Sequence, residues 1–299
     1  MMQAVRSGFM TFSAHFCVVG LLLMLPVAAA AQAPWQWQMS LKVDRAGDSM
    51  YMPSAVGFDA ESERYYAIDT GRNRLVSFDR DGELISVFTA NEQLRAPFDM
   101  VRLDSGQLWV VEKGRNSLTL IDLAARKIEP QILMDGDRRI FPDRIANADN
   151  RLYVLDRSSG DVLLLDTNLE VQQRFGCNDC NAGLVDFVVL DGDVAALAAR
   201  DNKILYFNND GSIASEFDLG DEVDFPVSLA VGPSGFMYVL DRHQNSVLAY
   251  DEQGAFRYRF LDNGQSAGRV YFARHLRFDP WGNLCVVDEG NGRVEIFSR

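Results

Sequence analysis

A repeat with a period in the low forties constrains this chain more than any other feature. The stretch Tyr65-Tyr-Ala-Ile-Asp69, followed by Thr-Gly-Arg-Asn-Arg and Leu75-Val-Ser-Phe78, returns along the sequence. It reappears as Leu108-Trp-Val-Val-Glu112, Leu152-Tyr-Val-Leu-Asp156, Met237-Tyr-Val-Leu-Asp241 and Leu284-Cys-Val-Val-Asp288. A degenerate copy lies at Val194 to Phe207, where Arg200 takes the acidic position. The equivalent positions are 69, 112, 156, 200, 241 and 288. Each unit reads as four short strands rich in Val, Ile, Leu, Tyr and Phe, broken by Gly, Asp and Asn. In the first unit these are Ala55–Phe58, Arg64–Ile68, Arg74–Phe78 and Leu84–Phe88. No window carries a convincing helical period. A lone four-stranded unit cannot bury both faces, so units of this kind must stack radially and close. The expected fold is all-β: a six-bladed propeller of four-stranded antiparallel blades.

The last unit ends at Arg299, after its third strand. The missing strand is available at the other end. Trp35, Trp37, Met39, Leu41 and Val43 alternate with Gln36, Gln38, Ser40 and Lys42, a period of two. This segment is expected to pair with Arg293–Phe297, complete the sixth blade and remove an exposed sheet edge. The propeller then occupies residues 35–299 as a single domain.

Residues 1–31 hold one charge, Arg6, and an apolar run from Phe16 to Val27 that ends in small residues. That pattern reads as a secretory signal peptide, cleaved after Ala31 or Ala33, with Pro34 favouring Ala31. The run is interrupted by Pro26 and is shorter than the roughly 20 apolar residues of a spanning helix. The mature chain is therefore expected in the periplasm or outside the cell, with no membrane span. The chain carries 29 Lys and Arg against 42 Asp and Glu, a net charge of −13, and loss of Arg6 makes it −14. Such a surface repels nucleic acid and anionic lipid.

The motifs Ile68-Asp-Thr-Gly-Arg-Asn-Arg-Leu75, Val111-Glu-Lys-Gly-Arg-Asn-Ser-Leu118 and Val287-Asp-Glu-Gly-Asn-Gly-Arg-Val294 resemble NHL repeats. That resemblance covers the mature chain and implies a six-bladed propeller. It implies little about activity, because propellers host unrelated chemistries.

In an up-and-down blade with strands a to d from the inside out, the b–c and d–a loops share one face. The d–a loops are longer and more varied, which marks that face as the functional one. Aligning the starts of the innermost strands places Ala55, Asp99, Arg144, Asp186, Ser228 and His275 in one slot. The slot is expected to ring the mouth of the central channel. Asp99, Arg144, Asp186, Ser228 and His275 could bind a small polar or zwitterionic ligand, or pair among themselves at a solvated rim. Asp79-Arg-Asp81-Gly82 resembles half of a calcium loop, but the same slot holds Gly-containing hairpin turns in other units.

Gluconolactonase-like propellers hold a divalent cation at the channel mouth through carboxylate and amide ligands. Here Asp99 and Asp186 lack further acidic or amide partners in the slot, and Arg144 would oppose a cation. The amidating lyases, also NHL-like, use several histidines around zinc, whereas the mature chain keeps only His243 and His275. Neither Gly-x-Ser-x-Gly nor His-Glu-x-x-His occurs. No catalytic residue, metal ligand or cofactor is assigned. The expected function is a non-catalytic interaction or ligand-binding scaffold, monomeric, with an envelope or extracellular protein as partner, or a small polar ligand. The alternative is a metal-assisted hydrolase or lyase of the gluconolactonase type with its site at the channel mouth.

Cys285 lies in an apolar run and reads as a core residue. Cys177 and Cys180 sit in the d–a loop Gly176-Cys-Asn-Asp-Cys-Asn-Ala-Gly183. Position 181 is Asn, which excludes haem attachment, and no second Cys pair exists to complete a zinc knuckle. In an oxidising compartment a local disulfide is the expected state.

Overall fold

The computed structural model describes residues 34–44 and 48–299. The signal-peptide reading falls on residues outside this set. Among the described residues there are no α-helices, only strands and short 3-10 turns.

Six four-stranded antiparallel sheets follow one another along the chain. Blade one is Pro53–Asp59, Arg64–Asp69, Arg74–Asp79 and Leu84–Phe88. Blade two is Pro97–Arg102, Leu108–Glu112, Ser117–Asp122 and Lys127–Gln131. Blade three is Pro142–Ala148, Arg151–Asp156, Asp161–Leu165 and Val171–Phe175. Blade four is Asp186–Leu190, Asp193–Ala198, Lys203–Phe207 and Ile213–Asp218. Blade five is Pro226–Val231, Met237–Asp241, Ser246–Tyr250 and Phe256–Phe260. Blade six joins His275–Phe278, Leu284–Asp288 and Arg293–Ser298 to Gln36–Leu41 from the opposite end of the chain.

The apolar core lies between blades rather than within them. Val56, Tyr65 and Val76 of blade one pack with Cys285, Val287 and Ile296 of blade six. Met100, Val110 and Ile121 of blade two pack with Ala55, Ile68 and Leu75 of blade one. The other neighbouring pairs share clusters of the same kind. Each blade buries its faces only because the ring is complete, so closure is a condition of stability.

Closure follows the expected pairing with one departure. Gln36 faces Ser298, Trp37 faces Phe297, Met39 faces Ile296 and Leu41 faces Val294, with a bulge between Trp37 and Met39. The extra residue breaks the period of two. Trp35, Leu41 and Val43 are buried as the alternation requires, but Trp37 is 43% exposed. Its indole Nε1 donates to Glu295 Oε2 at 2.8 Å, and Ser40 Oγ donates to the same oxygen at 2.6 Å. Glu295 is fully buried and pairs with Arg293 Nε at 2.8 Å.

The repeated carboxylate at the end of each second strand anchors the preceding d–a loop. Asp69 Oδ1 accepts from Tyr51 N at 2.8 Å, Glu112 Oε1 from Arg95 N at 2.5 Å and Asp156 Oδ1 from Phe141 N at 3.0 Å. Asp241 Oδ2 accepts from Phe225 N at 2.9 Å, and Asp288 Oδ1 from Tyr271 N at 2.8 Å. In blade four the strand register gives this position to Ala198, opposite Lys203, and not to Arg200. The short 3-10 turn Ala199–Asp201 follows Ala198 as Thr70–Arg72 follows Asp69 in blade one, so the corner is regular and only its acidic residue is missing. The loop entering blade four therefore lacks the strand-end carboxylate; it is closed by a disulfide between Cys177 and Cys180 and held by the carboxylate of Asp201 in the turn. Asn181 N donates to Asp201 Oδ2 at 3.0 Å, and Leu184 N to Gly160 O at 2.8 Å. Gly160 and Gly183 both have positive φ and touch backbone to backbone; a Cβ on Gly183 would lie 2.6 Å from Gly160 Cα.

Removing residues 34–44 strips the outer strand from blade six and is expected to lower the melting temperature sharply, by an amount read in thermal denaturation. An unchanged melting temperature would contradict the closure. Reduction of the Cys177–Cys180 disulfide is expected to raise amide exchange in residues 176–185 while leaving the strands of blade four protected. Uniform exchange across blade four would show that the disulfide holds the whole blade.

Candidate functional site

The slot residues occupy equivalent places at the starts of the inner strands, but they do not stand in solvent. Asp99, Ser228 and Ala55 are fully buried, and Arg144, Asp186 and His275 nearly so. Three of them bridge blades. Asp99 Oδ2 accepts from Ile145 N of blade three at 3.1 Å. Asp186 Oδ2 accepts from Leu229 N of blade five at 2.9 Å and from Ser228 Oγ at 2.5 Å. Ser228 Oγ in turn accepts from Leu276 N of blade six at 3.0 Å. A solvated rim is therefore the wrong description: these groups form a buried ring of amide acceptors. An inner-strand edge meets no further strand, so its amides need other acceptors, and a short polar side chain from the neighbouring blade supplies one.

Arg144 and His275 cannot play that part in the same way. Arg144 Nε lies 3.8 Å from Asp186 Oδ1, beyond hydrogen-bond length. Arg144 Nε and Nη1 have no hydrogen-bond partner, nor does His275 Nδ1. Burial, with Arg144, Arg277 and Arg274 nearby, holds the His275 imidazole well below its ordinary pKa, so it is neutral at pH 7. Burial also raises the Asp186 carboxyl above its usual range, against the opposing pull of Arg144 and of the bonds from Ser228 and Leu229.

The residues just outside the slot complete the site, and the sequence reading missed them. Phe98 precedes Asp99, and its ring carries three cations. Lys113 Nζ lies 3.2 Å from the ring centroid, and the Arg274 and Arg144 guanidinium carbons lie at 4.9 Å and 5.0 Å. Lys113 comes from the b–c loop of blade two and Arg274 from the residue before His275. Alignment of the units places each of them, one residue before the slot or one after the strand-end carboxylate, but only the radial assembly brings them together. Asp143 pairs with Lys113 at 2.5 Å, while Glu289 pairs with Arg274 at 2.5 Å and Arg242 at 3.0 Å. Arg274 Nε has no partner. Burial lowers the Lys113 pKa, with Arg144 and Arg274 pushing the same way and Asp143 opposing them. His243 is an exposed b–c loop residue stacked on Phe225, with ring centroids 4.5 Å apart.

The slot layer divides the channel. On the side of the a–b turns, a cavity of about 360 Å³ is lined by the downstream halves of the inner strands, with His275 at its inner end. Arg277 reaches across from blade six. Its Nη1 donates to Val56 O at 3.3 Å and Met100 O at 3.2 Å, and its Nη2 to Ile145 O at 3.2 Å.

Among the described residues, no group of three or more His, Cys, Asp or Glu side chains is placed to hold a metal ion. The donor set at the mouth does not suit a cation. Asp99 and Asp186 accept neighbouring amides, and the remaining space faces Arg144. At the Asp79 turn, Oδ1 accepts from Asp81 N at 3.0 Å and Glu83 N at 2.8 Å, an Asx turn closing a hairpin. Cys285 is buried and free.

No protein-family model and no curated protein sequence matches the chain. Solved structures do. A gluconolactonase from Xanthomonas campestris superposes with a TM-score of 0.66 at 13% identity, covering 88% of this chain and 98% of that one. A streptogramin B lyase gives 0.64 at 10% identity, covering 88% and 97%. A catalytically inactive His-to-Ala variant of virginiamycin B lyase from Staphylococcus aureus, with quinupristin, gives 0.62 at 15% identity, covering 83% and 80%. At these identities the likeness establishes the six-bladed fold. The expectation of a non-catalytic scaffold is corrected by the same finding: the solved structures that share this architecture are lyases and a lactonase, which favours the catalytic alternative.

The sign of the His275 effect on stability can be measured. Its folded pKa is depressed below about 6.5, so in acid the unfolded chain takes up a proton that the folded protein refuses. Stability from this group is complete above about pH 6.5 and falls as pH drops below it, by up to about 1.4 kcal/mol per pH unit. His275→Gln is expected to flatten that limb in denaturant titrations at pH 7.5, 6.5 and 5.5. Equal slopes in both proteins would show that His275 titrates normally.

Proposed function

We propose that this protein is a hydrolase or lyase whose active site is the channel mouth on the face of the b–c and d–a loops. The convergence of Lys113, Arg144 and Arg274 on Phe98 carries this reading. Opening a lactone and eliminating a group next to a carbonyl both build negative charge on a carbonyl oxygen. Preorganised cations with unfilled N–H donors in a partly dry site stabilise such charge, typically by about 10²- to 10³-fold per donor removed. Arg144 is held by packing against Phe98 and the slot layer, and Arg274 by Glu289, so neither needs to reorganise as the charge forms.

Lys113 is the group suited to move a proton. Its amine is only partly exposed, and its lowered pKa brings a neutral fraction closer to working pH than an ordinary lysine would have. Asp143 orients it. His275, neutral beneath Arg144, supports the layer from the cavity side. The enzymatic nature of the structural neighbours supports the reading. The residues here do not suit the divalent cation of gluconolactonase-like propellers, and no step is assigned to one. The NHL-like repeat pattern and the charge-poor apolar N-terminus support an exported NHL-like propeller. A disulfide in the loop entering blade four accords with an oxidising compartment.

Purified protein is expected to open members of a panel of γ- and δ-lactones and cyclic esters, with rates unaffected by a chelator. Lys113→Met should lower kcat by about 10²-fold or more at unchanged melting temperature. Absence of turnover across the panel, or full activity in Lys113→Met, would overturn the assignment.

A further inference from the structure

The mouth has a second property besides its charge. Lys113, Arg144, Arg274 and Arg242 stand among four carboxylates, Asp99, Asp143, Asp186 and Glu289. Charge is balanced there, on a chain whose net charge is −13. Arg144 is only 5% exposed, yet two of its N–H groups have no acceptor, and Arg274 Nε is likewise unfilled. Leaving buried donors unpaired costs about 1–3 kcal/mol each, so the pattern calls for an acceptor from outside the chain. Guanidinium groups suit a carboxylate, whose two oxygens can each take an N–H.

The rim beside this cluster is apolar. Phe225 and Phe272 are 47% and 40% exposed. Phe272 lies under Arg242, 5.5 Å from the ring centroid, and Arg242 N donates to Phe225 O at 3.0 Å. Both residues enter from d–a loops on the same face as the cations. Phe272 holds its exposed ring at a φ of 52°, a conformation that bulky residues avoid. Its amide donates to Asn245 Oδ1 at 2.7 Å, which fixes the backbone there.

We propose that the channel mouth binds an organic carboxylate with an aromatic or apolar body, its carboxylate against Arg144 and Arg274 and its body along Phe225 and Phe272. This names the class of ring-opened product that the site described above would hold, the carboxylate taking the place of the developing carbonyl charge; it rests on that placement of the active site, though not on turnover. Water alone could fill the donors, but it would show no preference for a ring.

Binding can be read without catalysis. The probes are 3-phenylpropanoate, its neutral amide and acetate, titrated against the full mature protein by ligand-observed NMR. Phenylpropanoate is expected to bind at least tenfold more tightly than either of the others. Arg144→Gln and, independently, the more exposed Arg274→Gln should each weaken phenylpropanoate at least tenfold. Phe272→Ala should weaken phenylpropanoate and leave acetate unchanged. No binding, equal binding of the amide, or unchanged affinity in both arginine variants would overturn the proposal. Binding without lactone turnover would retain the carboxylate site and remove the enzymatic reading. Turnover without carboxylate preference would do the reverse.

Discussion

Each blade presents the free edge of its inner strand to a channel, where no further strand can pair with it. The structure depends on how those edge amides are satisfied. Asp99, Asp186 and Ser228 each accept an amide from the next blade, at Ile145, Leu229 and Leu276. Between blades one and two, Ser54 Oγ donates to Phe98 O at 2.6 Å and Thr70 Oγ1 to Pro97 O at 2.6 Å. Arg277 ties blade six to blades one, two and three across the axis. The apolar clusters between blades supply most of the burial, but they are non-directional. The directional bonds at the channel fix how far each blade is rotated against its neighbour.

That ring of acceptors is interrupted at three positions, at one of which Ala55 offers no polar side chain. At the other two, Arg144 and His275 have donors or a depressed imidazole where blades two, four and five have acceptors. The interruption creates unpaired polar atoms within a buried layer, and Lys113 and Arg274 gather above it. The proposed site thus lies where the repeat departs from its own pattern, as expected when a scaffold yields local consistency to function. Blade four shows the structural version of the same logic. Its strand-end carboxylate is replaced by Ala198, and the loop is held by Asp201 three residues on and closed by a disulfide.

The repeat period, the strand content and the closing strand were readable because each is a local pattern. Two local irregularities were not. The bulge between Trp37 and Met39 reversed the exposure of Trp37, and Ala198 deprived the blade-four corner of its acidic marker, which put the expected corner at Arg200, two residues late. The slot was identifiable by alignment of the units, but its burial was not, because an acidic or basic residue at a strand start looks the same whether solvated or bonded to a neighbouring blade. Phe98, Lys113 and Arg274 lay wholly outside sequence reasoning. Phe98 and Arg274 each stand one residue before the slot and Lys113 one residue after a strand-end carboxylate, but they meet only when blades two, three and six surround one axis.

The central claim is a division of labour within one slot: three members bridge blades, and Arg144 faces an outside ligand. Equilibrium denaturation of Asp99→Ala, Asp186→Ala, Ser228→Ala and Arg144→Gln tests it most directly. The first three should each lose about 1–3 kcal/mol, because each leaves a buried amide unpaired. Arg144→Gln should lose nothing or gain, since it removes donors that have no partner in the free protein. A large loss in Arg144→Gln, or no loss in the other three, would contradict the account.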